Sequence, residues 1–191
     1  MINFIASNDR FMPHLHIPLQ SGSDRILKKM KRRYNVETYI DKINKIKDKI
    51  HDCTIGVDIM AGFPGETEKD FSDSYDLLSQ LPIAYLHVFP FSERENTAAD
   101  SMKNKVSLDV RYARAKILRK LSNMKFKEIQ NRNINQVKSV LFELSEDGFL
   151  SGLTDNYIRV KVAEPNQSKT NFISDVKLIE VNDGVMLGEM V

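Results

Sequence analysis

The stretch CTIGVDIMAGFPGET, Cys53–Thr67, joins a β-branched apolar run to a glycine-rich corner and a helix start. Alternate residues of the run are small or β-branched, as in a strand covered on both faces: Ile55, Val57, Ile59 and Ala61. Pro64 cannot continue a hydrogen-bonded ladder, so we expect the strand to end near Phe63. Thr67 and Asp70 have the spacing of a capping box. This strand, loop and helix start suit an anionic or polar ligand, but the same pattern occurs at ordinary βα corners.

Two similar units flank this one. HLHIPLQ, His14–Gln20, alternates polar and apolar residues, and Pro18 within it predicts an edge or bulged strand. A helix is predicted from Asp24. YLHVFPF, Tyr85–Phe91, predicts a third strand, whereas residues 1–13 show no regular pattern.

Two longer helices are also predicted. Asn35 is a candidate N-cap for an amphipathic helix with lysines on its outer side. From Ser107 a longer helix is expected to pack through one apolar stripe: Val110, Ala113, Ile117, Leu121 and Met124. Its basic residues are assigned to the solvent side, among them Arg111, Arg114 and Lys125.

The sequence pattern changes near residue 132, where period-2 runs replace the helices. Five short strands are predicted, with turns at Glu146–Gly148, Asp155–Asn156 and Asn182–Gly184. Five strands in so short a segment predict a small barrel of the oligonucleotide-binding type. We therefore predict an α/β domain at 1–132 and an all-β domain at 133–191.

Composition narrows the class of protein. The chain has 191 residues, a net charge of +2 and one cysteine, Cys53, which excludes a disulfide framework or a cysteine-based cluster made by this chain alone. Residues 1–131 carry 22 basic and 17 acidic side chains, and residues 132–191 carry 6 and 9, so a polyanion should be attracted to the first part. No apolar run is long enough to cross a bilayer, so a cytoplasmic location without a membrane partner is expected.

Four motifs, in order, resemble the radical S-adenosylmethionine methylthiotransferases: HLHIPLQSGSDRILKKMKRRY, VDIMAGFPGETEKDF, YLHVFPFS and the five-strand tail. The resemblance runs from inside the radical domain to the C-terminal TRAM domain. It implies the last three β/α units of a partial (β/α) barrel, followed by an OB-like TRAM barrel. The third motif is most similar to the branch that acts on N6-threonylcarbamoyladenosine beside the tRNA anticodon.

The resemblance also implies the residues of the sites. S-adenosylmethionine would lie across the carboxyl ends of the strands, against Gln20, Ser21, Asp58, Gly62, Phe63 and Phe89. The tRNA would contact basic residues of both domains, Lys28, Lys29, Arg32, Arg33, Arg94, Arg159 and Lys161, with Lys138 and Lys177 able to extend the patch on the barrel. No catalytic residue is assigned.

Two departures from the family pattern matter. The CxxxCxxC loop and three further cysteines, which hold two 4Fe-4S clusters in the complete enzymes, have no counterpart here. The chain is therefore expected to be a fragment without the N-terminal half of the enzyme, and inactive alone. The loop Ser92–Ala98 lacks the prolines and glycine of the family's version. The four histidines are scattered in the sequence, so no metal site is predicted.

Three functions remain open. The resemblance implies a tRNA methylthiotransferase that adds a methylthio group to C2 of N6-threonylcarbamoyladenosine by radical chemistry. The acceptor of another branch, isopentenyladenosine in tRNA or a ribosomal protein, is an alternative. From a different class, the chain is also compatible with a non-enzymatic RNA-binding module.

Overall fold

The computed structural model describes residues 1–163 and 170–191. Its helices are α1 Ile2–Ala6, α2 Asp24–Lys29, α3 Val36–Lys49, α4 Glu68–Gln80 and α5 Leu108–Asn133. Its strands are β1 His14–His16, β2 Thr54–Ala61, β3 Tyr85–Pro90, β4 Val137–Glu146, β5 Phe149–Thr154, β6 Arg159–Ala163, β7 Phe172–Asn182 and β8 Val185–Met190. Strands β1, β2 and β3 form a parallel sheet in that order, and the remaining five close a barrel in the order β4-β5-β6-β8-β7. The predicted fold class is confirmed.

Strand β2 is the centre of the parallel sheet, and its two faces differ. Ile55, Val57 and Ile59 are almost completely buried in the core under the helices. The opposite face carries Asp58 and Met60, which the described residues cover only partly. The prediction that this strand is covered on both faces is therefore wrong for its carboxyl half, where the open face presents the Asp58 carboxylate and the Met60 side chain.

The first unit differs from its prediction in two ways. Strand β1 is an edge strand, as expected, but its regular ladder ends at His16. The Ile17 and Leu19 N–H groups still donate to the Gly56 and Asp58 carbonyls of β2, so the nitrogen of Pro18 between them faces the free edge, where no ladder donor is needed. The chain rejoins β2 at Gln20, which forms an isolated parallel bridge with Ile59. Residues 1–13, expected to be irregular, include the short helix α1, whose Ile2 and Ile5 pack against the sheet's core.

The capping prediction for α4 is confirmed. The Thr67 side chain accepts a hydrogen bond from the Asp70 N–H, and the Asp70 carboxylate accepts one from the Thr67 N–H. Helix α3 begins after Asn35, whose side chain accepts from Thr38 N–H as a cap should. Both helix starts were set by local sequence.

The predicted apolar stripe of α5 is wrong. Of its members only Leu121 is buried, while Val110, Ile117 and Met124 are exposed. The buried face instead includes three basic residues assigned to solvent: Arg111, Arg114 and Lys125. Their stems pack in the core while their charged groups find acceptors, since Lys125 Nζ donates to the carbonyls of Ser79 at 2.9 Å and Leu81 at 2.8 Å.

The five-stranded barrel has its own apolar core, which includes Val140, Phe142, Leu150, Val160 and Val176. It also contacts the parallel sheet. The Thr54 hydroxyl donates to the Asn156 carbonyl at 2.7 Å, and Lys138 is paired with Asp52. Helix α5 ends at Asn133, close to the predicted boundary, but residues 164–169 of the predicted second domain lie outside the described part, and the two-domain division stays a prediction.

Candidate functional site

A pocket lies at the carboxyl edge of the parallel sheet, where all three strands end. It has a volume of about 180 Å³ and is lined by Gln20, Met60, Phe63, Lys29–Arg32, Ala98, Ala99 and Met102. The Gln20 backbone has a φ of 73° and is held by β2, since its N–H donates to the Asp58 carbonyl and its own carbonyl accepts from Met60 N–H. This fixed backbone places a side-chain amide beside the apolar surfaces of Met60 and Phe63.

A buried ion pair supports the glycine-rich loop after β2. The Glu66 carboxylate accepts a hydrogen bond from Gly62 N–H at 2.6 Å and pairs with Arg114 Nη1 at 2.8 Å. Burial raises the pKa of Glu66, although both partners oppose the change. Gly62 has a φ of 79°, and the Arg111 side chain fills the space that a Cβ would need. Packing therefore accounts for this glycine, and its contact with a ligand stays a prediction.

The predicted ligand residues do not form one group. Gln20 and Phe63 meet at the pocket, and Phe63 packs edge-to-face on Phe91. Ser21 is buried, and its hydroxyl accepts from Ser23 N–H at 3.2 Å, so it does not line the pocket. Phe89 is 51% exposed on the sheet's open face, paired in register with Met60.

Asp58 belongs to a polar cluster that the sequence did not predict. Its Oδ1 lies 2.8 Å from His16 Nε2 and 3.5 Å from His87 Nδ1. The histidines are far apart in sequence, but both occupy open-face positions on strands that flank β2. His14 lies on the same face, where burial, then the neighbouring His16 and His87, lowers its pKa. Alternation along each strand could have predicted that these side chains share one face of the sheet. It could not have predicted that they meet, because that depends on the register of the three strands.

The basic residues are spread over three places. Lys28 is exposed in the last turn of α2, and Arg32 and Arg33 are exposed just after it. Lys29 and Arg32 line the pocket beside Gln20. Arg94 is exposed in the loop after β3. Arg159 lines a second cleft of about 480 Å³, between α5 and the barrel, together with the aromatic rings of Tyr85, Phe126 and Tyr157.

The barrel patch is smaller than expected. Lys161 is exposed, with its ammonium 6.0 Å from the centre of the Phe149 ring. Lys138, on β4, is paired with Asp52. Strand β5 separates β4 from β6, which carries Lys161. The charge of Lys138 is already paired, so its part in the patch stays a prediction.

The described residues fit the two family cofactors differently. Cys53 is buried, and burial raises the pKa of its thiol to about 11, so it does not suit an iron–sulfur cluster, which needs thiolates. The pocket provides an amide and an apolar wall, which fit part of S-adenosylmethionine. Its volume is below the roughly 300–1,000 Å³ of sites that enclose a whole ligand of this size.

The comparisons with known proteins agree with this architecture. Residues 2–78 match the Radical SAM superfamily. Threonylcarbamoyladenosine tRNA methylthiotransferase MtaB of Bacillus subtilis is 34% identical over 185 residues, which are 94% of this chain and 41% of that protein. The protein of the same name from Rickettsia prowazekii is 40% identical over 162 residues, 85% of this chain and 37% of that protein. The tRNA-2-methylthio-N(6)-dimethylallyladenosine synthase of Clostridium tetani is 35% identical over 100% of this chain and 43% of its own length.

The matched segment contains strands β1 and β2 of the parallel sheet, so this part of the chain is similar to radical S-adenosylmethionine proteins. Over 94–100% of its length the chain is similar to methylthiotransferases of that superfamily. It spans about two fifths of the length of the curated relatives it matches. Across the described ranges, 1–163 and 170–191, each helix is too short or too polar to span a membrane.

Proposed function

We propose that this chain is part of a cytoplasmic tRNA methylthiotransferase that modifies C2 of N6-threonylcarbamoyladenosine next to the anticodon. The observation that carries the proposal is the similarity to MtaB proteins over 94% of the chain, at 34% identity for the Bacillus subtilis protein. In this proposal the barrel of residues 133–191 is a TRAM domain. The remainder of the enzyme, with the cysteines for two 4Fe-4S clusters, corresponds to the part of the relatives that this chain does not span.

The pocket supports a role for the sheet edge in binding S-adenosylmethionine. Gln20 would hydrogen-bond the polar part of this cofactor, while Met60 and Phe63 would pack against its apolar surfaces. When bound, the cofactor supplies the methyl group and the radical that this chemistry needs. Since only one corner of a complete site is present, we expect weak affinity for S-adenosylmethionine from this chain alone.

Positive charge and aromatic rings support a tRNA substrate. Phosphate contacts dominate nucleic-acid affinity, and the exposed basic residues after α2 lie beside the proposed cofactor pocket. Unpaired bases of RNA stack on aromatic side chains, and the second cleft combines Tyr85, Phe126 and Tyr157 with Arg159.

A chimera tests the reaction and its acceptor together. The aligned part of Bacillus subtilis MtaB is replaced by this chain, and the chimera is expressed in cells that lack their own methylthiotransferases. Mass spectrometry of tRNA nucleosides should detect the methylthio form of N6-threonylcarbamoyladenosine. Detection of the methylthio form of isopentenyladenosine instead would assign the chain to the other tRNA branch, because a relative from that branch has a similar sequence identity of 35%. A folded, tRNA-binding chimera that makes neither product would favour the non-enzymatic module.

The isolated chain should not perform the reaction. Anaerobic reconstitution with iron and sulfide, followed by iron analysis and a search for 5′-deoxyadenosine, measures this directly. A stoichiometric 4Fe-4S spectrum with cofactor cleavage would contradict our assignment of the cluster ligands to another part of the enzyme.

A further inference from the structure

A cluster of two imidazoles and one carboxylate lies on the open face of the parallel sheet. Its three candidate ligand atoms, His16 Nε2, Asp58 Oδ1 and His87 Nδ1, lie within 4.8 Å of one another. We propose that these residues bind one divalent transition-metal ion of the Zn²⁺ or Fe²⁺ type. This site is separate from any iron–sulfur cluster, because it uses no cysteine, and it does not depend on the proposed reaction.

The distances are close to those of a metal site. With bonds of about 2.0–2.1 Å to each ligand, a tetrahedral ion holds its ligand atoms about 3.3 Å apart. The separation of Asp58 Oδ1 from His87 Nδ1 is 3.5 Å, and that from His16 Nε2 is 2.8 Å. The third separation, between His16 Nε2 and His87 Nδ1, is at most 4.8 Å. An ion would therefore require rotations of the two partly exposed rings toward a common point, which leave the sheet backbone in place.

The ligand types select the class of ion. Two imidazole nitrogens favour Zn²⁺, Fe²⁺ and similar ions over Mg²⁺ and Ca²⁺, which prefer oxygen ligands. Two histidines and one carboxylate on one side of the ion leave its remaining positions open, as in catalytic zinc sites and in non-haem iron sites. The two rings are partly exposed, so water can reach those positions.

The sheet holds the ligands in place before an ion binds. Asp58 and His87 are paired directly in register on β2 and β3, and His16 is opposite Gly56 on β1. The Tyr85 ring lies over Gly56, where a side chain would collide with it, and its ring centre is 5.2 Å from that of His87. Tyr85 is fixed in turn by a 2.8 Å hydrogen bond between its hydroxyl and His14 Nε2. The aromatic ring thus forms one wall of the site.

The alternative is a cluster that is held together by hydrogen bonds only. Calorimetric titration of the 191-residue chain, freed of any affinity tag and stripped with chelator, separates the two cases. We expect one Zn²⁺ per chain, with no competition from millimolar Mg²⁺. His87→Gln should weaken Zn²⁺ binding by more than the roughly 10–100-fold that loss of a partner behind a metal ligand costs. Asp58→Asn should do the same.

His51→Gln provides the matched control, because this exposed histidine lies outside the cluster on the turn before β2. It should leave the stoichiometry and affinity unchanged. The absorption spectrum of bound Co²⁺ gives a second measurement, which should change in His16→Gln and not in His51→Gln. Circular dichroism excludes unfolding as the cause of any loss. If the wild-type chain binds Zn²⁺ no better than the folded His87→Gln variant, the cluster is a hydrogen-bonded one only and the proposal is overturned.

Discussion

The ion pair beneath the glycine-rich loop should be among the interactions to which stability is most sensitive. The Glu66 side chain is 2% exposed and that of Arg114 is 8% exposed. Arg114→Met removes the counter-charge and leaves the carboxylate buried without its ion-pair partner, which costs about 3–5 kcal/mol in such pairs. The contact of Arg114 with exposed Glu68 adds little. The Arg114 guanidinium also lies 5.2 Å from the centre of the buried Phe71 ring, and this contact is lost together with the charge.

Urea unfolding, followed by the helical circular dichroism signal, measures the loss of stability in Arg114→Met. The helices of the described ranges, 1–163 and 170–191, all precede the barrel, so the signal reports on the parallel sheet and the helices that cover it. With a slope of about 2 kcal/mol per molar urea, the midpoint should fall by about 1.5–2.5 M. Lys69→Met removes an exposed pair with Asp73 on helix α4, and it should leave the midpoint almost unchanged.

The double variant provides the sharper test. Glu66→Gln together with Arg114→Met removes both charges, so it should be less destabilised than Arg114→Met alone. An Arg114→Met variant within about 1 kcal/mol of the wild type would refute the reasoning. Additive effects of the two substitutions would also refute it, since additivity indicates that the groups do not interact.

Three further predictions concern RNA binding, folding and pH. Reversing the charges of Lys28, Lys29, Arg32 and Arg33 should weaken binding to all tRNAs and reduce its salt dependence, as measured by fluorescence anisotropy, because we expect these residues to contact phosphates. Reversing the exposed Lys42, Lys45, Lys49 and Lys116 matches the charge change away from both proposed contact surfaces. Equal loss in both variants would remove the surface at the end of α2 from our proposal. Residues 133–191 alone should melt cooperatively in circular dichroism, because the barrel has its own core; a disordered spectrum would show that the predicted boundary is wrong. Burial opposes the change, but hydrogen bonds from Arg25, Thr67 and Ser23 lower the pKa of Asp70. The stability that the Asp70 carboxylate contributes is therefore present above its ordinary pKa of about 4, and it is lost as the pH falls below that value. Asp70→Asn should therefore lose less thermal stability than the wild type between pH 7 and pH 3, and an equal loss in both would contradict this origin of acid sensitivity.

Local sequence determined the type and order of most elements. The β-branched alternation around Val57, the caps at Asn35 and Thr67 and the turns of the barrel predicted elements that the structure contains. These signals are local, because an N-cap or a proline acts on residues within one helical turn. The family resemblance, and not these local signals, implied that Gln20 and Phe63 end neighbouring strands, and the structure has both of them in one pocket at the sheet edge.

Tertiary structure decided which faces are buried and which side chains meet. The apolar pattern of α5 pointed to Val110 and Ile117, but its buried face accepts arginine and lysine, because Glu66, Glu93 and backbone carbonyls are close enough to satisfy them. His16, Asp58 and His87 lie on three different strands, and only the register of the parallel sheet brings them together. Sequence spacing contains no record of that register, since strands separated by whole helices are aligned by packing of the core and not by their neighbours in the chain.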